Sequence, residues 1–165
     1  HKPSAQHVLD DDYYKRIEAI QFTMSHDDGK KVDDIENADV ILLGVSRTSK
    51  TPTSIYLANR GYKTINIPLV LEQKIPKDLI SNTKACIVGL VADPERLADI
   101  RRNRVAIMKD NKLTEYTNLE FIKKEIIDSK NLFKKNNWPI IDVTRRSVEE
   151  TAASILKIIE IKKNK

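Results

Sequence analysis

The segment Gly44-Val-Ser-Arg-Thr-Ser-Lys-Thr51 holds the residue types that grip phosphate. Loop amides combined with a helix N-terminus make a site for an anion, and a lysine adds a cation at its rim. Lys50 is that cation, and the amides running from Gly44 through Val45, Ser46, Arg47, Thr48 and Ser49 form the cradle. The hydroxyls of Ser46, Thr48 and Ser49 add donors, and Thr51 places a hydroxyl where a magnesium ion would take it. Arg47 either reaches an outer phosphate or faces solvent. The phosphate-loop pattern asks for glycine just before the lysine, and this chain has Ser49. Ser49 therefore either accepts backbone strain or contributes a hydroxyl contact of its own. Taken alone, so degenerate a match also fits an ordinary strand–turn–helix junction.

The flanking residues favour the phosphate site. The apolar run Val40 to Leu43 reads as the end of a strand over 39–43 that is covered on both faces. Pro52 sits in the first turn of the helix that follows, where proline is tolerated. Further along, Lys63 to Pro68, Lys84 to Ala92 and Trp138 to Val143 read as three more strands. Helical patterns lie between and around them. Asp10 to Met24 places Tyr13, Ile17, Ile20 and Met24 on one stripe, and Thr53 to Asn59 stops near Gly61. Asp93-Pro94-Glu95 is a helix start, followed by Leu97 and Ile100. Thr117-Asn-Leu-Glu120 and Ser147-Val-Glu-Glu150 read as capping boxes opening two amphipathic helices. The segment 69–81 is ambiguous, and 162–165 reads as a frayed, solvated end.

Strands alternating with helices imply an α/β fold, a parallel sheet with helices on both faces in a three-layer sandwich of the P-loop kinase type. Ligands in such sheets sit beyond the carboxyl ends of the strands. Gly44, Asp93 and Thr144 all lie just past strand ends. Asp93 has two compatible readings, an acid for a magnesium–water shell or the cap of its own helix. Arg101 and Arg104 share a helix face at i, i+3 and read either as a clamp on a transferred phosphoryl group or as a solvated basic face. Arg145 and Arg146 follow the last strand, where one could stack on a nucleotide base or simply face water.

The 165 residues suit one compact domain, 1–165. No apolar stretch is long enough for a membrane span. Cys86 is the single cysteine and reads as a small buried residue; with no disulfide framework available within one chain, a cytoplasmic setting is expected. The chain opens on His1 rather than Met, so an upstream piece is expected to be missing. A net charge of +5 fits a binder of phosphorylated molecules. Nucleic acid is not the expected partner, because aromatics make up only 5% and do not interleave with the basic residues.

Beyond the phosphate loop, the chain carries several further motifs: Arg16-Ile-Glu-Ala-Ile20, His26-Asp-Asp-Gly29, Tyr56-Leu-Ala-Asn-Arg-Gly-Tyr62, Ile67-Pro-Leu-Val70, Gly89 with Asp93-Pro-Glu-Arg-Leu97, Trp138-Pro-Ile-Ile-Asp-Val-Thr144 and Ser147-Val-Glu-Glu-Thr-Ala152. Through them the chain closely resembles the bacterial pyruvate, phosphate dikinase regulatory proteins, a family that includes the phosphoenolpyruvate synthase regulators. The resemblance implies a bifunctional enzyme. It would phosphorylate a threonine of pyruvate, phosphate dikinase or of phosphoenolpyruvate synthase with ADP as donor. It would remove that group with inorganic phosphate as acceptor, giving pyrophosphate. The protein partner would be the dikinase or the synthase, and the family is often dimeric. Members carry a further N-terminal domain, which this chain is expected to lack. The family motif at His26 makes Asp27 and Asp28 the candidate general bases, against an ordinary Asp-Gly turn with a solvated histidine. The catalytic set is then Lys50, Asp27, Asp28 and Asp93, with Thr51 and Asp93 toward magnesium. A small-molecule kinase of the same fold and a nucleotide-sensing module without chemistry are the competing readings.

Overall fold

The computed structural model describes residues 3–26, 37–45, 47–69, 85–108 and 118–163, with the side chains of 3–10, 105–108 and 163 left aside. Four strands form one parallel sheet in the order β2-β1-β3-β4. They are β1 (Val40–Gly44), β2 (Thr64–Pro68), β3 (Cys86–Val91) and β4 (Ile140–Asp142). Around them lie α1 (Pro3–Ser25), α2 (Lys50–Asn59), α3 (Pro94–Met108), α4 (Leu119–Lys135) and α5 (Val148–Lys163). The expected α/β architecture is therefore the observed one.

The alternation of β1 explains why every one of its residues is buried. Val40 and Leu42 join one apolar cluster with Leu57, Val88, Leu90, Leu97, Ile122 and Ile155. Ile41 and Leu43 join the other with Ile65, Ile67, Ile87 and Phe133. Successive side chains point to opposite faces, so the two clusters are the two helix–sheet interfaces. Gly89 permits the second one: a Cβ there would collide with the Phe133 ring.

The register fixes where the site can be. Val40 pairs with Thr64 on one side and Cys86 on the other, and Gly44 lies opposite Pro68. The chain leaves β1 for β2, then returns past β1 to β3. Strand order thus reverses between β1 and β3, and the crevice outside their carboxyl ends is the topological switch point where such sheets bind ligands.

Helix boundaries depart from the sequence reading where local chemistry was subtle. The second helix begins at Lys50 rather than Thr53, so Pro52 occupies its third position. It ends in a Schellman motif: Gly61 at φ 90 donates its N–H to the Ala58 carbonyl, and Tyr62 donates to Leu57. Asn118, not Thr117, caps α4, its side chain accepting from the amides of Glu120 and Phe121. In α1 the expected stripe fails, because Tyr13 and Met24 are exposed (54% and 63%) while Ala19 and Thr23 are buried. This helix packs through small residues against α2 and β2, and the Thr23 hydroxyl accepts the Thr64 N–H. At the far end Lys162 is anchored rather than frayed, donating its ammonium to the Ala85 carbonyl at 2.8 Å. Cys86 is buried as expected, and burial pushes its thiol upward against the pull of Lys162.

Candidate phosphate site at the switch point

Gly44 closes β1 and opens the loop. A Cβ at this position would lie 2.7 Å from the Thr48 hydroxyl and 2.9 Å from the Leu90 carbonyl, so only glycine lets the loop fold back this tightly. Two residues then take left-handed backbone, Arg47 at φ 71 and Ser49 at φ 61. For non-glycine residues each such turn costs about 1 kcal/mol, and conformations of this kind concentrate where backbone amides must converge on a ligand. Of the two options open to Ser49, the strained backbone is present.

Ser49 is also the N-cap of α2, and its side chain makes no capping hydrogen bond. Elsewhere the caps are used. Asp93 accepts from the Arg96 amide at the start of α3, Asn118 caps α4, and Ser147 accepts from the Glu150 amide at the start of α5. At α2 the Ser49 carbonyl takes the Thr53 amide, while Pro52 has no N–H to offer. The amides at the mouth of α2 are thus organised by the loop, with the positive end of the helix dipole behind them.

Lys50 folds inward over this loop and is only 6% exposed. Its ammonium donates to the Val45 carbonyl at 2.8 Å and to the Thr48 hydroxyl at 3.4 Å. The Thr48 hydroxyl donates its own proton to the same carbonyl at 2.8 Å. Thr48 therefore braces the loop from within rather than projecting a donor outward. Arg47 and Ser49 are exposed, and Thr51 is half-buried in the first turn of α2.

Beside the loop, the ends of β3 and β4 are tied together. Val143 donates to the Val91 carbonyl, carrying the ladder past β4. The Asp93 amide donates to the Thr144 hydroxyl at 2.8 Å, and that hydroxyl donates to Asp142 Oδ1 at 2.5 Å. The Thr144 amide donates to the same oxygen at 2.9 Å. Burial alone would raise the Asp142 carboxyl, but the two Thr144 bonds, with Lys130 and Arg146 nearby, hold it below its ordinary value.

A model of the kinase/pyrophosphorylase family matches residues 1–156. The chain belongs to the kinase/pyrophosphorylase family. Relatives of the same kind carry the name pyruvate, phosphate dikinase regulatory protein. The one from Pelagibacter ubique is 65% identical over 165 residues, which is 99% of this chain and 60% of the relative. That from Erythrobacter litoralis is 52% identical, covering 95% of this chain and 56% of the relative. The Caulobacter vibrioides protein is 50% identical over 94% of this chain and 49% of its own length. The chain thus spans roughly half to three-fifths of the curated relatives it matches.

Within this kinase/pyrophosphorylase chain the remaining expected site residues separate. Gly44, Val45, Arg47, Thr48, Ser49, Lys50 and Thr51 lie together at the loop, and Asp93 lies past the neighbouring strand end. Ser46, Asp27 and Asp28 lie outside the described residues. His26, which precedes the two acids, is buried rather than solvated. Its Nδ1 donates to the Phe22 carbonyl at 2.7 Å, and its ring stacks on Phe22. Arg101 and Arg104 do not share a surface: Arg101 is wholly buried and pairs with Glu125 of α4 at 2.8 Å, while Arg104 is exposed. Arg101 is thus an interior anchor between α3 and α4. Arg145 is exposed, and Arg146 donates to Ser154 of α5.

Two features escaped the sequence reading. Glu125 stands between Ile122 and Ile126 on the apolar stripe of α4, and Arg101 follows Leu97 by one turn, so both positions pointed inward. Asp142-Val-Thr144 is an acid two residues before a hydroxyl at a strand end, the pattern of an Asx turn.

Proposed function

We propose that this chain transfers phosphoryl groups to and from a threonine of pyruvate, phosphate dikinase. The observation that carries the reading is the buried Lys50 ammonium seated on a strained loop at the mouth of α2. The names carried by the relatives support the dikinase over phosphoenolpyruvate synthase as protein partner. In the forward direction the threonine hydroxyl attacks the β-phosphorus of ADP, the bond to the AMP oxygen breaks, and the proton passes to a base. In the reverse direction an oxygen of inorganic phosphate attacks the phosphothreonine phosphorus. The threonine oxygen leaves, taking up the proton that the base removes from the phosphate, and pyrophosphate forms.

Such transfer depends on placing the reactants in line and neutralising charge on the equatorial oxygens. The amides of residues 45–51 would orient the phosphates, and Lys50 would move from the Val45 carbonyl to the transferred group. Asp27 and Asp28 remain the candidate bases. Among the described residues no three His, Cys, Asp or Glu gather as a metal cage. Magnesium keeps its waters and binds through phosphates with one or two protein oxygens. Thr51 and Asp93 would supply those oxygens, and the ion would offset phosphate charge. An exposed Arg104 could approach the phosphates, and Arg145 the base of ADP.

The test is Lys50→Ala assayed in both directions on purified dikinase, with phosphothreonine formation from ADP and pyrophosphate release as readouts. Both rates are expected to fall about 10²–10³-fold, the loss typical of one preorganised charge-stabilising donor. Loss in one direction only would refute a shared phosphate site.

A further inference from the structure

One hydroxyl at the sheet edge joins three pieces of chain. Thr144 Oγ1 has a single proton, and Asp142 Oδ1 accepts it. The same carboxylate oxygen accepts the Thr144 amide, which fixes the residue in a tight turn. A lone pair of the hydroxyl is thereby left pointing at the Asp93 N–H, which it accepts at 2.8 Å. The ionised partner polarises the hydroxyl and makes it a better acceptor. Asp93 is consequently held at both ends of its main chain, by Thr144 through its amide and by Leu97, whose N–H donates to its carbonyl. Its Oδ2 accepts from the Arg96 amide, and among the described residues no hydrogen bond reaches Oδ1.

We infer that Thr144, oriented by Asp142, is a positioning residue for phosphoryl transfer: it locks the turn from β3 into α3 and so holds the Asp93 carboxylate at the crevice between β1 and β3. This rests on the phosphoryl-transfer reading of the site. The tie crosses from the end of β4 to the start of α3, over the element that carries Asp93. Among the described residues, its hydrogen bonds join Asp93, Thr144 and Asp142 and include none of 45 or 47–51. Removing it should therefore disturb the placing of Asp93 while leaving nucleotide binding by the loop intact. A clamp that merely stabilised α3 would shift the melting temperature and leave turnover alone.

The experiment compares Thr144→Val, Thr144→Ser and Asp142→Ala in the whole protein, with ADP and the dikinase as substrates, well below each variant's melting temperature. Thr144→Val should lower kcat about 10–100-fold, the loss common when an outer hydrogen bond that positions a working residue is removed. Its dissociation constant for ADP, measured without magnesium so that only the loop holds the nucleotide, should stay within about 2-fold, the mark of an interaction lost after binding. Thr144→Ser keeps the hydroxyl and should recover most of the rate. Asp142→Ala should match Thr144→Val, and the double variant should be no slower than either, because the pair acts as a unit. Asp142→Ala also provides the readout should Thr144→Val not fold. A Val variant with wild-type kcat, a Ser variant as slow as Val, or single losses that multiply in the double would overturn the inference. A folded wild type that transfers no phosphate from ADP would instead overturn the underlying reading.

Discussion

Ser49 occupies a backbone conformation, φ 61 and ψ 27, that glycine enters without strain. Replacing it with glycine should be tolerated: release of about 1 kcal/mol of strain is offset by the greater freedom of glycine in the unfolded chain. A chemical melt of Ser49→Gly should thus fall within about 1 kcal/mol of wild type, with phosphate affinity retained. Gly44→Ala goes the other way. Its methyl group would press on the Thr48 hydroxyl and the Leu90 carbonyl, and β1 is too tightly enclosed to yield. The same melt should show a loss of about 1–3 kcal/mol, together with weaker pyrophosphate binding measured by calorimetry. Asp142 gives a prediction in pH. Its folded-state value lies below the ordinary 3.8, so its stabilising contribution is complete above that value and disappears as pH falls through the lower one. Wild type should exceed Asp142→Asn in stability at neutral pH, and acid-unfolding curves should converge below about pH 4. A gap that persisted unchanged into acid would contradict the ionised Asp142–Thr144 bond.

The helices are positioned by contacts that can be broken one at a time. Phe133 packs against β3 only because residue 89 lacks a side chain. Gly89→Ala would drive a methyl group into the ring and should cost about 1–3 kcal/mol by thermal or chemical melting, eased by a smaller residue at 133. The Arg101–Glu125 pair joins α3 to α4 in the interior. Truncating Arg101 to alanine strands a buried carboxylate and should destabilise by about 3–5 kcal/mol, whereas the double change Arg101→Met with Glu125→Leu should recover most of that. A phosphate clamp would behave differently: Arg101→Ala would then lower turnover without a matching loss of stability, and the apolar pair would not rescue it.

Across the whole molecule, the reversal of strand order between β1 and β3 puts Val45, residues 47–51 and Asp93 at one edge. Much of this was legible in the residues. The apolar run Val40 to Leu43, the helix start at Asp93-Pro94 and the stop at Gly61 are local signals, and each stands where the sequence placed it. The inward turns of Arg101 and Glu125 were not legible, because a charged residue on an apolar stripe finds its partner only through tertiary packing. Nor was the tie from Thr144 to Asp93, which joins residues 51 positions apart. The stripe on α1 misled because that helix buries small residues and leaves Tyr13 and Met24 in water. Phosphoryl transfer at this edge requires that the loop between β1 and α2 hold a phosphate cluster against Lys50. Calorimetric titration of pyrophosphate into the wild-type chain and into Lys50→Ala tests it most directly. Saturable one-site binding by the wild type is expected, weakened about 10–100-fold in the variant, in line with about 1.5–3 kcal/mol for a charge-assisted contact. Equal affinity in both proteins, or no binding by the folded wild type, would contradict it.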